Sequence, residues 1–300
     1  MAFNLTEFLD SFVKKHDNRQ LILIPLAVFA LSLLLLAFMF TSSGAPVKLG
    51  MEFKGGTMIA ITTQETADSL EIKYSNYPII DARSAGERVI MQFGPMSNKQ
   101  QRLLEDDVMS AYSNLEIKQI GAVYGSTLQA QALKAVIISF IGMAAVVFLI
   151  FRTVVPSFAV VLSALSDITI AAAFMNLAGI ELTLGTVAAL LMLIGYSVDS
   201  DILLTTRLLK RRGTTEEKVT RAMQTGITMT TTTLAAVVVM YFVSTYLYLF
   251  SSSLSQMSLL SDISIVLIFG LAADIMNTWL LNTGILRWHI ENNVSGGRNA

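Results

Sequence analysis

Cysteine is absent from the 300 residues, which excludes disulfides, thiol nucleophiles and cysteine-held metals. Only two histidines occur, His16 and His289, one near each end, so a histidine-rich metal site is not expected and no cofactor is assigned. Charge is scarce too: charged residues make up 14%, where soluble domains carry about 25%. A water-facing surface needs those charges, so much of this one must meet lipid. The 21 basic and 22 acidic residues nearly cancel, leaving no basic footprint for nucleic acid. What fills the chain is apolar: 53% hydrophobic residues and a mean hydropathy of +0.60. These numbers describe an integral membrane protein and nearly exclude enzymes built on Cys or His.

A membrane-crossing helix needs roughly 20 apolar residues. Residues 21–40 are uncharged and contain only Pro25 near their start. The stretch is longer than a signal-peptide core and no A-x-A-like site follows, so it reads as a retained first span after a short segment, 1–20. Charges then return, and 41–130 reads as a folded aqueous domain. Further apolar runs cover 135–151, 154–177, 182–206, 224–247 and 257–286, with a serine-rich turn expected at 251–256. The expected architecture is a six-helix all-α bundle in a one-plus-five arrangement, its last five helices within 131–287 and a tail at 288–300. Lys14, Lys15, Arg19, Arg152, Arg207, Lys210, Arg211, Arg212, Lys218, Arg221, Arg287 and Arg298 then all fall on one side. By the positive-inside tendency that side is the cytoplasm of a plasma-membrane protein with both termini inside.

In the extracytoplasmic domain, 57–63 and 88–93 read as strands, 98–113 as an amphipathic helix and 114–120 as a further strand. A small α+β sandwich of the ferredoxin-like kind is the economical answer; the register of 66–85 stays open. Gly55-Gly56 precedes a strand rather than a helix and lacks the phosphate-loop pattern, so a turn or close backbone approach is its reading. The domain looks like a binding or docking module.

Asp167, Asp199, Asp201 and Asp274 interrupt runs that are otherwise apolar. A carboxylate at the centre of a spanning helix costs roughly 2.5–3.5 kcal/mol on insertion scales. No Lys or Arg lies at comparable depth, so a partner chain or a proton must neutralise them. Carboxyls gathered in hydrocarbon without cations suit reversible protonation. The plainer alternative is hydrogen-bonded packing, with Ser166 beside Asp167, Ser197 and Thr205 one turn from Asp201, and Asn277 close to Asp274. Asp199 and Asp201 diverge by about 200° around a helix, so they cannot both face one narrow cavity. The hydroxyls of Thr225, Thr228 and 230–233 either bond back to their own helix or line a polar path. Asp262 lies toward the outer surface and is given no role. Asp199 with Asp274 could share acid–base work on a water, but the Gly-x-Gly-Asp motif of intramembrane aspartyl proteases is missing, and no enzymatic activity is expected.

Two segments resemble a known family. Leu49-Gly50-Met51-Glu52-Phe53-Lys54-Gly55-Gly56-Thr57 is similar to the Asp/Glu-Phe and Gly-Gly motif that opens the outer domain of the SecD/SecF family of protein-export membrane proteins. Gly195-Tyr196-Ser197-Val198-Asp199-Ser200-Asp201 resembles the family's fourth-span motif, and the overall pattern is most similar to its archaeal SecF-type members. The resemblance implies half of an RND-superfamily-like transporter, paired with SecD in a twelve-span unit. Such a unit assists export of polypeptides through a SecY-type translocon using the proton-motive force. Joined to the unpaired carboxylates read above, this gives an expected proton relay in which Asp199 exchanges protons with help from Asp201, Asp274 and Asp167. Bacterial members carry Gly-Tyr-Ser-x-Asn-Asp, which puts their aspartate at Ser200; here Asp199 aligns with the SecD carboxylate and is preferred over Asp201. A scaffold that only positions SecD and the translocon is the competing reading.

Overall fold

The computed structural model describes residues 5–85, 88–246 and 257–296. Six helices are long and apolar enough to cross a membrane, and a small antiparallel sheet is inserted between the first two of them. The amphipathic helix α1 (Leu5–Lys15) precedes the first long helix, α2 (Asn18–Ser43). Asp17 and Gln20 form a capping box that starts α2, and Gly44, in the left-handed region, ends it.

After the short turn α3 (Met51–Lys54), the sheet domain runs β1 (Gly56–Thr62), α4 (Ala67–Lys73), β2 (Ile79–Ala85), β3 (Arg88–Phe93), α5 (Asn98–Ala111) and β4 (Leu115–Ile120). Spatial order is β2-β3-β1-β4, with every pairing antiparallel. The open stretch 66–85 is thus α4 followed by β2, with a register shift between Ile79 and Asp81. Alternation along the strands sends Ile59, Ile61, Val89, Met91 and Phe93 toward Leu70 of α4 and Leu104 and Val108 of α5. Tyr74 is buried in this core, and among the described residues its hydroxyl has no hydrogen-bond partner. Burial pushes its pKa from 10.0 up to about 12.

Gly55 and Gly56 both have positive φ, 76° and 137°. A Cβ on Gly56 would stand 2.2 Å from the Phe93 carbonyl oxygen. Close backbone approach is therefore what the pair provides, and a phosphate cradle is not.

The long helices that follow are α6 (Ala122–Phe151), α7 (Val154–Leu177), α8 (Leu184–Lys210) and α9 (Thr215–Tyr246). The last crosses as α10 (Ser258–Met276), a π-helical turn (Asn277–Asn282) and α11 (Thr283–Gly296). Helix α6 starts at Ala122, well before the apolar run at 135. Gly121 caps it directly after β4, and its exposed Gln129, Gln131 and Lys134 mask the early turns from a hydropathy reading. Likewise α9 includes 215–223, where Glu216 and Glu217 suit the positive end of a helix. The serine-rich turn expected at 251–256 lies outside the described residues. In α7 67% of the apolar window is buried, against 6% in α6, so α7 is central and α6 peripheral.

The two parts are stitched at the N-terminus of α8. Gly50 N donates to Leu182 O (2.8 Å) and Leu182 N to Lys48 O (2.7 Å). Glu52 accepts from Leu184 N (2.7 Å) and from Lys118 Nζ of β4 (2.9 Å). Glu52 of the sequence motif thus ties the sheet to the helices, and its neighbour Phe53 is buried.

Candidate functional site

Three of the four intramembrane aspartates meet in the bundle interior. Asp167 comes from α7, Asp201 from α8 and Asp274 from the end of α10, and all three are buried. Ser197 Oγ donates to Asp167 Oδ2 (2.5 Å), and Asn277 Nδ2 donates to Asp167 Oδ1 (2.6 Å) and to Ser166 Oγ (3.0 Å). Asn282 Nδ2 donates to Asp201 Oδ1 (2.8 Å), and Ser200 Oγ to Asp274 Oδ2 (3.1 Å). The Thr278 hydroxyl lies 2.8 Å from Asp201 Oδ1 and 3.1 Å from Asp274 Oδ1. None of the ion pairs among the described residues involves these carboxylates.

The partners differ from those that helical spacing predicts. Ser197 serves Asp167 rather than Asp201, Asn277 serves Asp167 rather than Asp274, and the Thr205 hydroxyl has no partner among the described residues. The reason is that each carboxyl bonds across to a neighbouring helix, while spacing along one helix identifies only residues on a shared face. Sequence reading missed Thr278 and Asn282. Their signal is the spacing Asp274, Thr278, Asn282, a polar stripe at intervals of four in an apolar run. They sit in the π turn, a distortion often found at functional positions.

Asp199 is placed elsewhere. It is exposed on α8, beside exposed Gly195 and Tyr196, and has no hydrogen bond or ion pair among the described residues. The structure therefore does not bring Asp199 and Asp274 together; Asp201 is the α8 carboxylate that joins Asp274, through Thr278, and Ser200 of the same helix bonds Asp274 directly. On α9 the hydroxyls of Thr225, Thr228, Thr231, Thr232 and Thr233 bond to carbonyls one turn earlier, the packing use of threonine. Asp262 lines a cleft between the sheet and the helix ends together with Arg83, Lys118 and Glu181.

The interior also holds unmet hydrogen-bonding capacity. Among the described residues, Asn277 Oδ1 and Asn282 Oδ1 are buried without a hydrogen-bond partner. A network of carboxylates, hydroxyls and amides that lacks cations and has spare acceptors can take up a proton and rearrange its bonds around it.

Fold and site together define a multi-helix membrane protein with an inserted sheet domain and a carboxylate network at the centre of its bundle. A family model, "Protein export membrane protein SecD/SecF, C-terminal", matches residues 100–292. The chain is 46% identical to the protein-export membrane protein SecF of Methanolacinia petrolearia, over 93% of this chain and 96% of that one. It is 42% identical to SecF of Pyrococcus furiosus, over 91% and 92%. The crystal structure of SecDF, a translocon-associated membrane protein from Thermus, superposes with a TM-score of 0.69 at 18% identity, covering 91% of this chain and 38% of that one. The chain belongs to the SecD/SecF family of protein-export membrane proteins.

Proposed function

We propose that the chain works with SecD as one half of an RND-like unit that assists polypeptides across or into the plasma membrane, drawing on the proton-motive force. The sheet domain, whose β-α-β-β-α-β order is that of ferredoxin-like domains, faces outward and engages the emerging polypeptide or the translocon. Both termini are cytoplasmic, as the basic residues gathered at the helix ends away from the sheet support. The carboxylates move protons and no covalent chemistry is performed.

The observation that carries this reading is the position of Thr278. A hydroxyl has a single proton, so Thr278 donates to only one of Asp201 and Asp274 at a time. The second contact becomes a hydrogen bond when the other carboxyl is itself protonated and donates to the hydroxyl. A pair joined in this way is suited to holding one proton and passing it between two helices. Asp201 and Asp274 are therefore the relay in this proposal, Asp167 supports them through Asn277, and Asp199 faces the partner half.

Export should be assayed in cells and in energised vesicles carrying Asp201→Asn, Asp274→Asn or Asp199→Asn. The first two are expected to abolish the response to a proton gradient while the complex with SecD still assembles. A full response in both would leave the scaffold reading, in which the carboxyls only pack.

A further inference from the structure

At the end of α8 and α9 remote from the sheet lies a concavity of about 630 Å³. Among the described residues it is lined by Arg207, Lys210, Arg211, Arg212, Lys218 and Arg221, with Glu217 as the only acidic side chain. Glu217 is engaged with the backbone of its own helix start, accepting from Thr214 N. None of the ion pairs among the described residues involves the six basic groups. Two of them are held in place: Arg207 donates to Arg221 O (3.3 Å) and Thr225 Oγ1 (3.1 Å), and Lys218 Nζ donates to Leu208 O (3.1 Å). A guanidinium has five N–H donors, so Arg207 keeps several for a ligand after these contacts.

Orientation signals alone need positive charge near the membrane but no cavity, since loop charge is simply counted. Here the charge is gathered around a hollow, and α8 and α9 that form it are long enough and apolar enough to enter a membrane. From Arg221 the same face of α9 continues through Thr225, Thr232 and Ala236 to the exposed Val239 and Val243, with exposed Met229 alongside and the Thr232 hydroxyl turned back to the Thr228 carbonyl. Cations around a hollow with an apolar strip leading from it match a molecule with an anionic head and a hydrocarbon tail. We propose that this basin binds the phosphate headgroup of an anionic membrane lipid, with an acyl chain lying along α9.

The test uses the full chain, delipidated in detergent and titrated with phosphatidylglycerol, phosphatidylcholine or inorganic phosphate, with bound lipid counted by native mass spectrometry. Saturable binding of phosphatidylglycerol, at least about tenfold tighter than phosphatidylcholine, is expected. Inorganic phosphate at matched concentration should not displace it; displacement would mean a soluble phosphate site and overturn the lipid assignment. Arg207→Gln, and separately the exposed triple Lys210→Gln, Arg211→Gln, Arg212→Gln, should each weaken retention about tenfold. Arg152→Gln, at the same end of the bundle but outside the basin, should leave it unchanged. The triple is exposed, so it reads the site even where Arg207→Gln impairs folding. Equal retention of both lipids, or an equal loss in Arg152→Gln, would overturn the proposal.

Discussion

Trp279 occupies the space that any side chain at Gly226 would need: a Cβ there would stand 2.4 Å from Cζ2 of the indole. The contact lets the fully buried Trp279 of the π turn sink into α9, among Leu204, Leu208, Met223 and Ile227. Gly226→Val should destabilise the protein by roughly 1–3 kcal/mol through overpacking. Combined with Trp279→Leu, the loss should be smaller than the sum of the two single losses. Thermal unfolding in detergent measures both.

Thr278 offers the most selective probe of the carboxylate network. Thr278→Val preserves volume but removes the hydroxyl between Asp201 and Asp274, and should cost about 1–3 kcal/mol. Thr278→Ser keeps the hydroxyl and should retain export close to the parent level. Similar export in the valine and serine variants would show that the bridge has no functional role.

Tyr74 gives the sheet domain a defined alkaline limit. Its pKa rises from 10.0 to about 12 because burial disfavours the phenolate. The folded state therefore holds its proton where the unfolded chain has lost it. The stabilisation is fully present below pH 10 and is lost as pH climbs toward 12. Since the hydroxyl has no partner among the described residues, Tyr74→Phe should cost little at neutral pH and should remove this part of the alkaline loss. Tyrosinate absorbance followed against pH in the full chain reports it.

Glu52→Gln should loosen the junction between sheet and helices. It removes the charge that accepts from Leu184 N and pairs with Lys118. A hydrogen bond to a charged group contributes about 1.5 kcal/mol or more, roughly tenfold in local opening. Hydrogen exchange at the Leu184 amide should accelerate by that factor, with amides in the middle of α7 unaffected.

Much of the architecture was open to reading because it rests on long-range composition and short-range period. Val154–Leu177 is a helix at the bounds its apolar run sets, and Arg88–Phe93 is a strand at the bounds its alternation sets. The divergence of Asp199 and Asp201 also follows from 3.6 residues per turn. Which of them turns inward does not follow, because an apolar run buried on one side and lipid-facing on the other has no polar face to orient it. Asp201 enters the network, and Asp199, preferred on its alignment with the SecD carboxylate, is exposed. The stripe of Asp274, Thr278 and Asn282 marks a polar face, but which carboxyl each donor meets is set by the π turn. A π turn shifts the phase of every later residue, and no local residue preference announces it.

The stitching at Leu184 has a mechanical consequence. Helix α8 is an unbroken rod whose first residue is gripped by the sheet domain through Glu52 and whose seventeenth residue beyond that grip is Asp201, about 25 Å away at 1.5 Å per residue. A rod of that kind bends little, so a displacement of the sheet domain would tilt or slide the far carboxylate against Thr278. The lever works both ways: a rearrangement at the carboxylate would shift the sheet that holds the other end of the rod.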